Sequence, residues 1–280
     1  MKERLVIPNK LNGKVWFSDS PNLEYYHHHE ELECNIVCSG RGSYLLNDRR
    51  IDLEPHSIVW LFPDQEHLMI DKTDDFTLWV IVIKPWFLKQ IISEKQNLVL
   101  LERKPQGSFL KHLSHQGFDE IDHICSQAIS IKDDSDSYNA ILAHLLMACW
   151  RAFQKGSDVP LGRQIHPTIQ QVLRLINGSE SNQNLNQLSN LVGMSPEALS
   201  RLFKKQMGIT LSNYRNRSRL NRFFLIMENE LQPSLHEAAL EAGFGSYAQF
   251  YRVFKQLMGR SPADFKKSFT SGEKRAYYLE

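Results

Sequence analysis

Cysteine is scarce. Four residues in 280 cannot staple a chain of this length into a disulfide framework, so the sequence reads as a protein of a reducing compartment, the cytoplasm. Long apolar runs are missing too. The densest, Trp79-Val80-Ile81-Val82-Ile83, falls far short of the roughly 18 to 20 residues that span a bilayer. Met1 to Pro8 places charges and a proline where a secretory signal needs an apolar core. No charge of one sign dominates, with 33 Lys+Arg against 32 Asp+Glu, and 42% hydrophobic content disfavours disorder. There is no GxSxG, no Walker loop and no GxGxxG after a strand, so no common catalytic motif argues for an enzyme. At about 150 residues per domain, the length predicts two domains.

The near-neutral total hides an asymmetry. Residues 1–166 hold 18 Lys+Arg and 23 Asp+Glu, whereas residues 167–268 hold 13 and 7. An acidic half joined to a basic half predicts that the second meets a polyanion. The texture differs as well. Short runs rich in aromatic and β-branched residues recur between turn signals at 14–17, 32–37, 43–46, 58–62 and 76–83, a spacing that predicts a β-sandwich or barrel. Helical periodicity begins at Trp86, Phe87, Ile91 and Ile92. It lengthens in Phe118-Ile121-Ile124-Cys125-Ala128 and in Ile141-Leu142-Leu145-Leu146-Ala148-Cys149, two amphipathic helices suited to packing or dimerisation. Residues 154–166, with two prolines counting the neighbouring Pro167, read as a linker. From Pro167 onward the pattern is short helices.

The basic half repeats itself at an offset of 51. Arg201-Leu202-Phe203-Lys204-Lys205-Gln206-Met207-Gly208 lies over Arg252-Val253-Phe254-Lys255-Gln256-Leu257-Met258-Gly259, and Thr210, Tyr214 and Arg215 over Ser261, Phe265 and Lys266. Each copy is a short apolar helix, a glycine-containing turn, a serine N-cap (Ser195 or Ser246) and a second helix, the helix-turn-helix pattern. Helical spacing puts Leu199, Leu202, Phe203 and Met207 on one stripe, and Phe250, Val253, Phe254, Leu257 and Met258 on the other copy's. The opposite ridges present Glu197, Ser200, Arg201 and Lys204, then Tyr247, Ala248, Tyr251 and Arg252. Arginine can pair bidentately with guanine and glutamate can accept from cytosine in the major groove. Lys204, Lys255 and the run Arg215-Arg217-Arg219-Arg222 suit phosphate.

This segment closely resembles the DNA-binding domain of the AraC/XylS family of bacterial transcription regulators over residues 167–268. The most specific part is Glu241-Ala242-Gly243-Phe244-Gly245-Ser246-Tyr247-Ala248-Gln249-Phe250-Tyr251-Arg252-Val253-Phe254-Lys255, followed by Gly259 to Phe265. The resemblance implies two helix-turn-helix units joined by a long helix, here about 211–231, with recognition helices in successive major grooves. By position it implies base-reading contacts from Glu197, Ser200 and Arg201, with Tyr247, Ala248, Tyr251 and Arg252; Lys204, Ser246 and Lys255 complete the expected DNA-contacting set. Gly245 departs from the polar or acidic residue usual at that turn.

In the acidic half, His27-His28-His29-Glu30-Glu31-Leu32-Glu33 and Gly40 read HxHx3Ex6G, which resembles the first motif of the cupin β-barrels. Strand alternation would bring His27, His29 and Glu33 to one face. Pro63-Asp64-Gln65-Glu66-His67 fits the second motif, with Asp64 in place of the usual glycine. Three readings stay open: an effector pocket without metal, a divalent metal site for Zn, Fe, Mn or Ni, or a solvated strand entrance. Trp16, Tyr25, Tyr44, Trp60 and Trp79 are candidate core or pocket walls. Cys34 and Cys38 read as buried thiols, and His112, His115 and His123 lack metal spacing.

The expectation is therefore a multidomain α+β chain: a cupin-like sensor β-barrel over 1–112, dimerising helices over 113–153, a linker over 154–166 and an all-α double helix-turn-helix over 167–270. Its expected partners are promoter DNA, a small-molecule effector (a sugar, by family resemblance), RNA polymerase if the output is activation, and a second copy of the chain. The rival is a metal-dependent cupin enzyme fused to a DNA-targeting module.

Overall fold

The computed structural model describes residues 5, 7–19, 27–160, 162–178, 183–227 and 233–270, with 268–270 in backbone only. Tyr25 lies outside them. The described chain divides into two compact units, meeting between Arg163 and Gln164.

The first unit is built from strands β1 (Gly13–Ser18), β2 (Leu32–Ser39), β3 (Gly42–Leu46), β4 (Arg49–Leu53), β5 (Ser57–Leu61), β6 (His67–Ile70) and β7 (Thr77–Ile83). Helix α1 (Pro85–Ile91), strand β8 (Leu110–His112), helices α2 (His115–Ser130) and α3 (Ser135–Lys155), and the short strands β9 (Ser157–Asp158) and β10 (Arg163–Gln164) follow. The strands form two sheets, ordered β1-β7-β2-β5-β8-β9 and β10-β4-β3-β6. The expected closed barrel is thus corrected to two open sheets: no pairing between strands of different sheets joins them among the described residues.

Alternation explains why the large sheet reads as almost continuous apolar sequence. Cys34, Ile36, Ile58, Trp60, Trp79, Ile81 and Ile83 face one core, shared with α2 and α3. Val37, Val59, Leu61, Leu78, Val80 and Val82 face the second core, shared with Tyr44, Ile51, Leu53 and Met69 of the small sheet. A strand covered on both faces needs no polar alternation. Trp60, Trp79 and Tyr44 are buried, and Trp16 is half-buried against the inter-sheet core.

Helices α2 and α3 spend their apolar stripes on the sheet: Ile121, Ile124, Cys125 and Ala128, and Leu142, Leu145, Leu146, Cys149, Trp150 and Phe153, are all buried there. Residues 154–166 are not bare linker. β9 pairs with β8 through Lys111↔Asp158 and His112↔Ser157, and β10 extends the small sheet beside β4.

The second unit is helical: α4 (Pro167–Asn177), α5 (Leu185–Leu191), α6 (Pro196–Met207), α7 (Leu211–Met227), α8 (Leu235–Glu241), α9 (Tyr247–Met258) and α10 (Pro262–Thr270). Helices α5–α6 and α8–α9 are the two helix-turn-helix pairs, and α7 joins them. The expected stretch of α7 beyond 227 lies outside the described residues. The repeat is visible in the caps. Ser195 and Ser246 accept from the amides of Ala198 and Gln249, and Thr210 and Ser261 from those of Asn213 and Asp264, each at 3.2 Å. Gly208 and Gly259 close α6 and α9 in the left-handed region at φ +76° and +68°, where a Cβ is costly.

Candidate functional site

The second half offers an outward ridge on each reader helix. On α6 the stripe Leu199, Phe203 and Met207 is buried and Leu202 is half-buried. Its inward turn leaves Glu197, Arg201 and Lys204 exposed and Ser200 half-buried. On α9, Phe250, Val253 and Phe254 are buried while Ala248, Tyr251, Arg252 and Lys255 are exposed. Two of the expected contacts have other work. The Ser246 hydroxyl caps α9, and the Tyr247 ring, half-buried, packs 5.5 Å from Phe250 and 5.8 Å from His236.

A groove of about 840 Å³ runs beside α6, lined by Ser200, Arg201, Lys204, Lys205 and Arg215 among others. Its ionisable lining is cationic throughout, which suits a phosphate chain. Lys205, absent from the expected contacts, belongs to this wall. Arg215 donates to the Gln183 carbonyl and Arg217 to Asn213 Oδ1 at 3.0 Å. Arg215, Arg219 and Arg222 follow one another at helical spacing. Burial lowers the pKa of all three, with mutual repulsion added for Arg215 and Arg222. The Nε atoms of Arg219 and Arg222 are buried without an acceptor. Three crowded guanidiniums with no carboxylate partner among the described residues favour an incoming anion.

In the first half the histidines do meet, though not along one strand. His27 bridges His67 by paired backbone hydrogen bonds of 3.1 and 2.8 Å, whereas β2 begins only at Leu32. The ligand nitrogens of His27, His29 and His67 lie within 4.8 Å of one another. Glu33 joins from β2: its Oε2 is 2.9 Å from His29 Nε2, and its Oε1 accepts from Asn35 at 2.6 Å. Asn35 also donates to the Tyr44 hydroxyl at 2.7 Å. Burial alone would raise the Glu33 pKa. The His29 hydrogen bond and charge, with help from His67 and Asn35, outweigh it and hold the group at about 2. His67 is pushed down to about 3, first by burial and then by the neighbouring His27.

The tautomers follow from the acceptors. A backbone carbonyl only accepts, so Nδ1 of His67 donates to the Gln65 carbonyl at 2.9 Å, and Nδ1 of His29 to the Glu31 carbonyl at 3.1 Å. Nε2 of His67 is then a bare lone pair, buried and without a partner. For His67, backbone-anchored Nδ1–H with an inward Nε2 is the outer-shell arrangement of metal-binding histidines, whereas His29 Nε2 donates to the Glu33 carboxylate, which only accepts, so the donor set fits a divalent cation once that hydrogen bond is released. The turn before His67 also fits: Asp64 has φ +64°, the left-handed conformation glycine would adopt, and its carboxylate meets Arg103 Nε at 2.6 Å.

Sequence reasoning missed Asn35, which ties Glu33 to Tyr44. The available signal was one amide inside the apolar run from Leu32 to Val37, on the inter-sheet face beside Glu33. Cys34, Cys125 and Cys149 are buried and Cys38 half-buried, all four free.

Comparison with known proteins accords with both halves. The family profile described as an AraC-like ligand-binding domain matches residues 17–190, and a helix-turn-helix domain profile matches residues 188–268. The arabinose operon regulatory protein of Escherichia coli (strain K12) is 25% identical over 57% of this chain and 55% of its own length, so that match spans about half of the relative. The HTH-type transcriptional activator RhaR of Enterobacter sp. (strain 638) is 24% identical over 88% of each chain. Among solved structures, ToxT from Vibrio cholerae covers 91% of this chain and 94% of its own at 13% identity, with a TM-score of 0.36, too loose a superposition to bear on the geometry above.

Proposed function

The chain belongs to the AraC/XylS family of transcription regulators, and on that premise we propose that it is a sequence-specific DNA-binding regulator controlled by a small molecule held in its first unit. One observation carries the reading: the same capped pair of helices occurs twice, and each copy turns an apolar stripe inward and a ridge bearing two cations, Arg201 and Lys204 or Arg252 and Lys255, outward. Base reading is assigned to Glu197, Ser200 and Arg201 on α6, and to Ala248, Tyr251 and Arg252 on α9. Lys204, Lys255 and the α7 arginines supply phosphate contacts. The partner is double-stranded promoter DNA, with RNA polymerase added if the output is activation, and we assign the chain no catalytic step.

The polar cluster of the first unit, His27, His29, Glu33 and His67, suits an effector rich in hydroxyls, a sugar being the family's example. A divalent cation is the second reading, favoured by the orphaned Nε2 of His67. His27, His29 and His67 would hold the ion, which would supply a Lewis-acidic anchor for an effector oxygen. Elemental analysis of untagged protein separates the two, with stoichiometric metal lost in His67→Ala favouring the second. We propose that the regulator acts as a homodimer. Any contact through α2 and α3 uses their outward polar faces, since the apolar stripes are already covered.

Two substitutions test the reader assignment. Arg252→Ala should cost about 1–3 kcal/mol on a cognate duplex and relax base preference. Lys255→Ala should weaken cognate and random duplexes alike. Equal losses on every sequence for both variants would remove α9 as a base reader.

A further inference from the structure

The first unit brings a second set of histidines together. His56 sits in the turn between β4 and β5, His112 at the end of β8 and His115 at the start of α2. The His56 ring centroid lies 4.7 Å from that of His115 and 5.9 Å from that of His112. Residues 112–123 alone carry no metal spacing. The set is completed by strand pairing, which places Ser57 opposite His112 and so returns His56 to its neighbours.

His56 is the fixed member. Its backbone is held at φ +68°, a left-handed conformation that a non-glycine residue adopts only at a cost. Its amide donates to the Val37 carbonyl at 2.8 Å, and its carbonyl accepts from the Leu113 amide at 3.0 Å. Its ring stacks on Phe118 at 4.3 Å. Burial, then the charges of His115 and His112, hold its pKa below the ordinary value, with Asp119 opposing. A neutral ring keeps the lone pair that a metal needs. The N-terminus of α2 disfavours a cation, and Glu54, 4.0 Å from His112 Nε2, supplies negative charge against it together with Asp119.

We propose that His56, His112 and His115 form a second metal site, for a zinc-class divalent transition metal ion. Two imidazoles on one tetrahedral ion, with metal–nitrogen bonds of about 2.0–2.1 Å, stand roughly 5 Å apart between ring centres, and the two observed separations bracket that value. Unlike those of His27, His29 and His67, which already converge within 4.8 Å, these nitrogens meet only after the outer rings turn. His115 is exposed and His112 half-buried, so both can turn while His56 stays in place. The bound ion would tie the β4–β5 turn, the end of β8 and the start of α2 to one another. Imidazole donors suit zinc, nickel or copper and not magnesium, which takes oxygen. The site stands independently of the regulator reading.

The test titrates the untagged full chain with zinc ion alone near neutral pH, by calorimetry and by histidine ring NMR. The ring signals of His56, His112 and His115 should shift together with zinc and stay in place with magnesium. His115→Ala, a change at an exposed side chain, should weaken that zinc-binding event at least about tenfold without altering the zinc-free melting temperature. His123→Ala removes an exposed histidine of the same helix that lies outside the cluster, and should leave the event unchanged. Zinc affinity that survives His115→Ala, an equal loss in His123→Ala, or ring shifts confined to His27, His29 and His67 overturns the site.

Discussion

Single side chains in the first unit show how burial decides chemistry. Glu33 and Asn35 occupy the inter-sheet face of β2 between residues that otherwise point apolar groups inward, and a buried carboxylate persists there only because its oxygens have partners. Glu33→Leu should therefore cost about 3–5 kcal/mol by stranding His29 and Asn35, read as a loss of melting temperature. The cysteines respond to the same physics with a different outcome. Burial raises the thiols of Cys34 and Cys125, and burial with the Asp122 charge carries Cys38 up to about 12. A raised thiol pKa means less thiolate at any pH below it. Alkylation of the native protein at pH 8 should then lag that of the unfolded chain by about a thousandfold at Cys38, and the native rate itself should rise about tenfold per pH unit. Rapid labelling of all four cysteines in the native state would show that the sheet–helix core is open. At this scale the histidine motif was legible, because residue type and spacing coincide. The bridge between His27 and His67 was not, because it arises from the return of a distant strand.

At the level of elements, the turns separate strain from space. Gly193, between α5 and α6, has φ +66° and nothing within 4 Å of an added Cβ, so Gly193→Ala should cost only the left-handed penalty of about 1–2 kcal/mol. Gly40, at φ +70°, would place a Cβ 2.5 Å from the Phe76 backbone, and Gly40→Ala should be much the more destabilising in a denaturant titration. Equal costs would mean that the β2–β3 turn is less tightly packed than described. The helix-turn-helix pairs were readable from sequence because cap, turn and stripe all repeat. Strands β1, β2, β3, β5 and β7 were readable because they carry the aromatic and β-branched residues. Strands β4 and β6 were not: Arg49-Arg50-Ile51-Asp52-Leu53 is mostly polar, and His67-Leu68-Met69-Ile70 is short. Pairing with β3 on both sides supplies what local propensity does not.

For the molecule as a whole, charge and repetition point the same way. No helix among the described residues is long and apolar enough to cross a membrane. The basic excess sits in the half that bears both reader ridges and the cationic groove. Binding to duplex should accordingly fall steeply with salt, log K dropping linearly with log salt, and Lys255→Ala should lower that slope by about one. The division into an acidic sheet unit and a basic helical unit was legible from composition. The docking of Ser157–Asp158 and Arg163–Gln164 on the sheet edges was not, since two-residue strands leave no periodicity to read. The central claim is that one chain reads two adjacent stretches of duplex. Selection of bound duplexes from a random library by the full-length protein tests it most directly. The account predicts an enriched sequence with two blocks spaced about one helical turn, ~10 base pairs, apart, with the block facing α9 lost in Arg252→Ala. Recovery of unenriched duplexes, retained by charge alone, would contradict it.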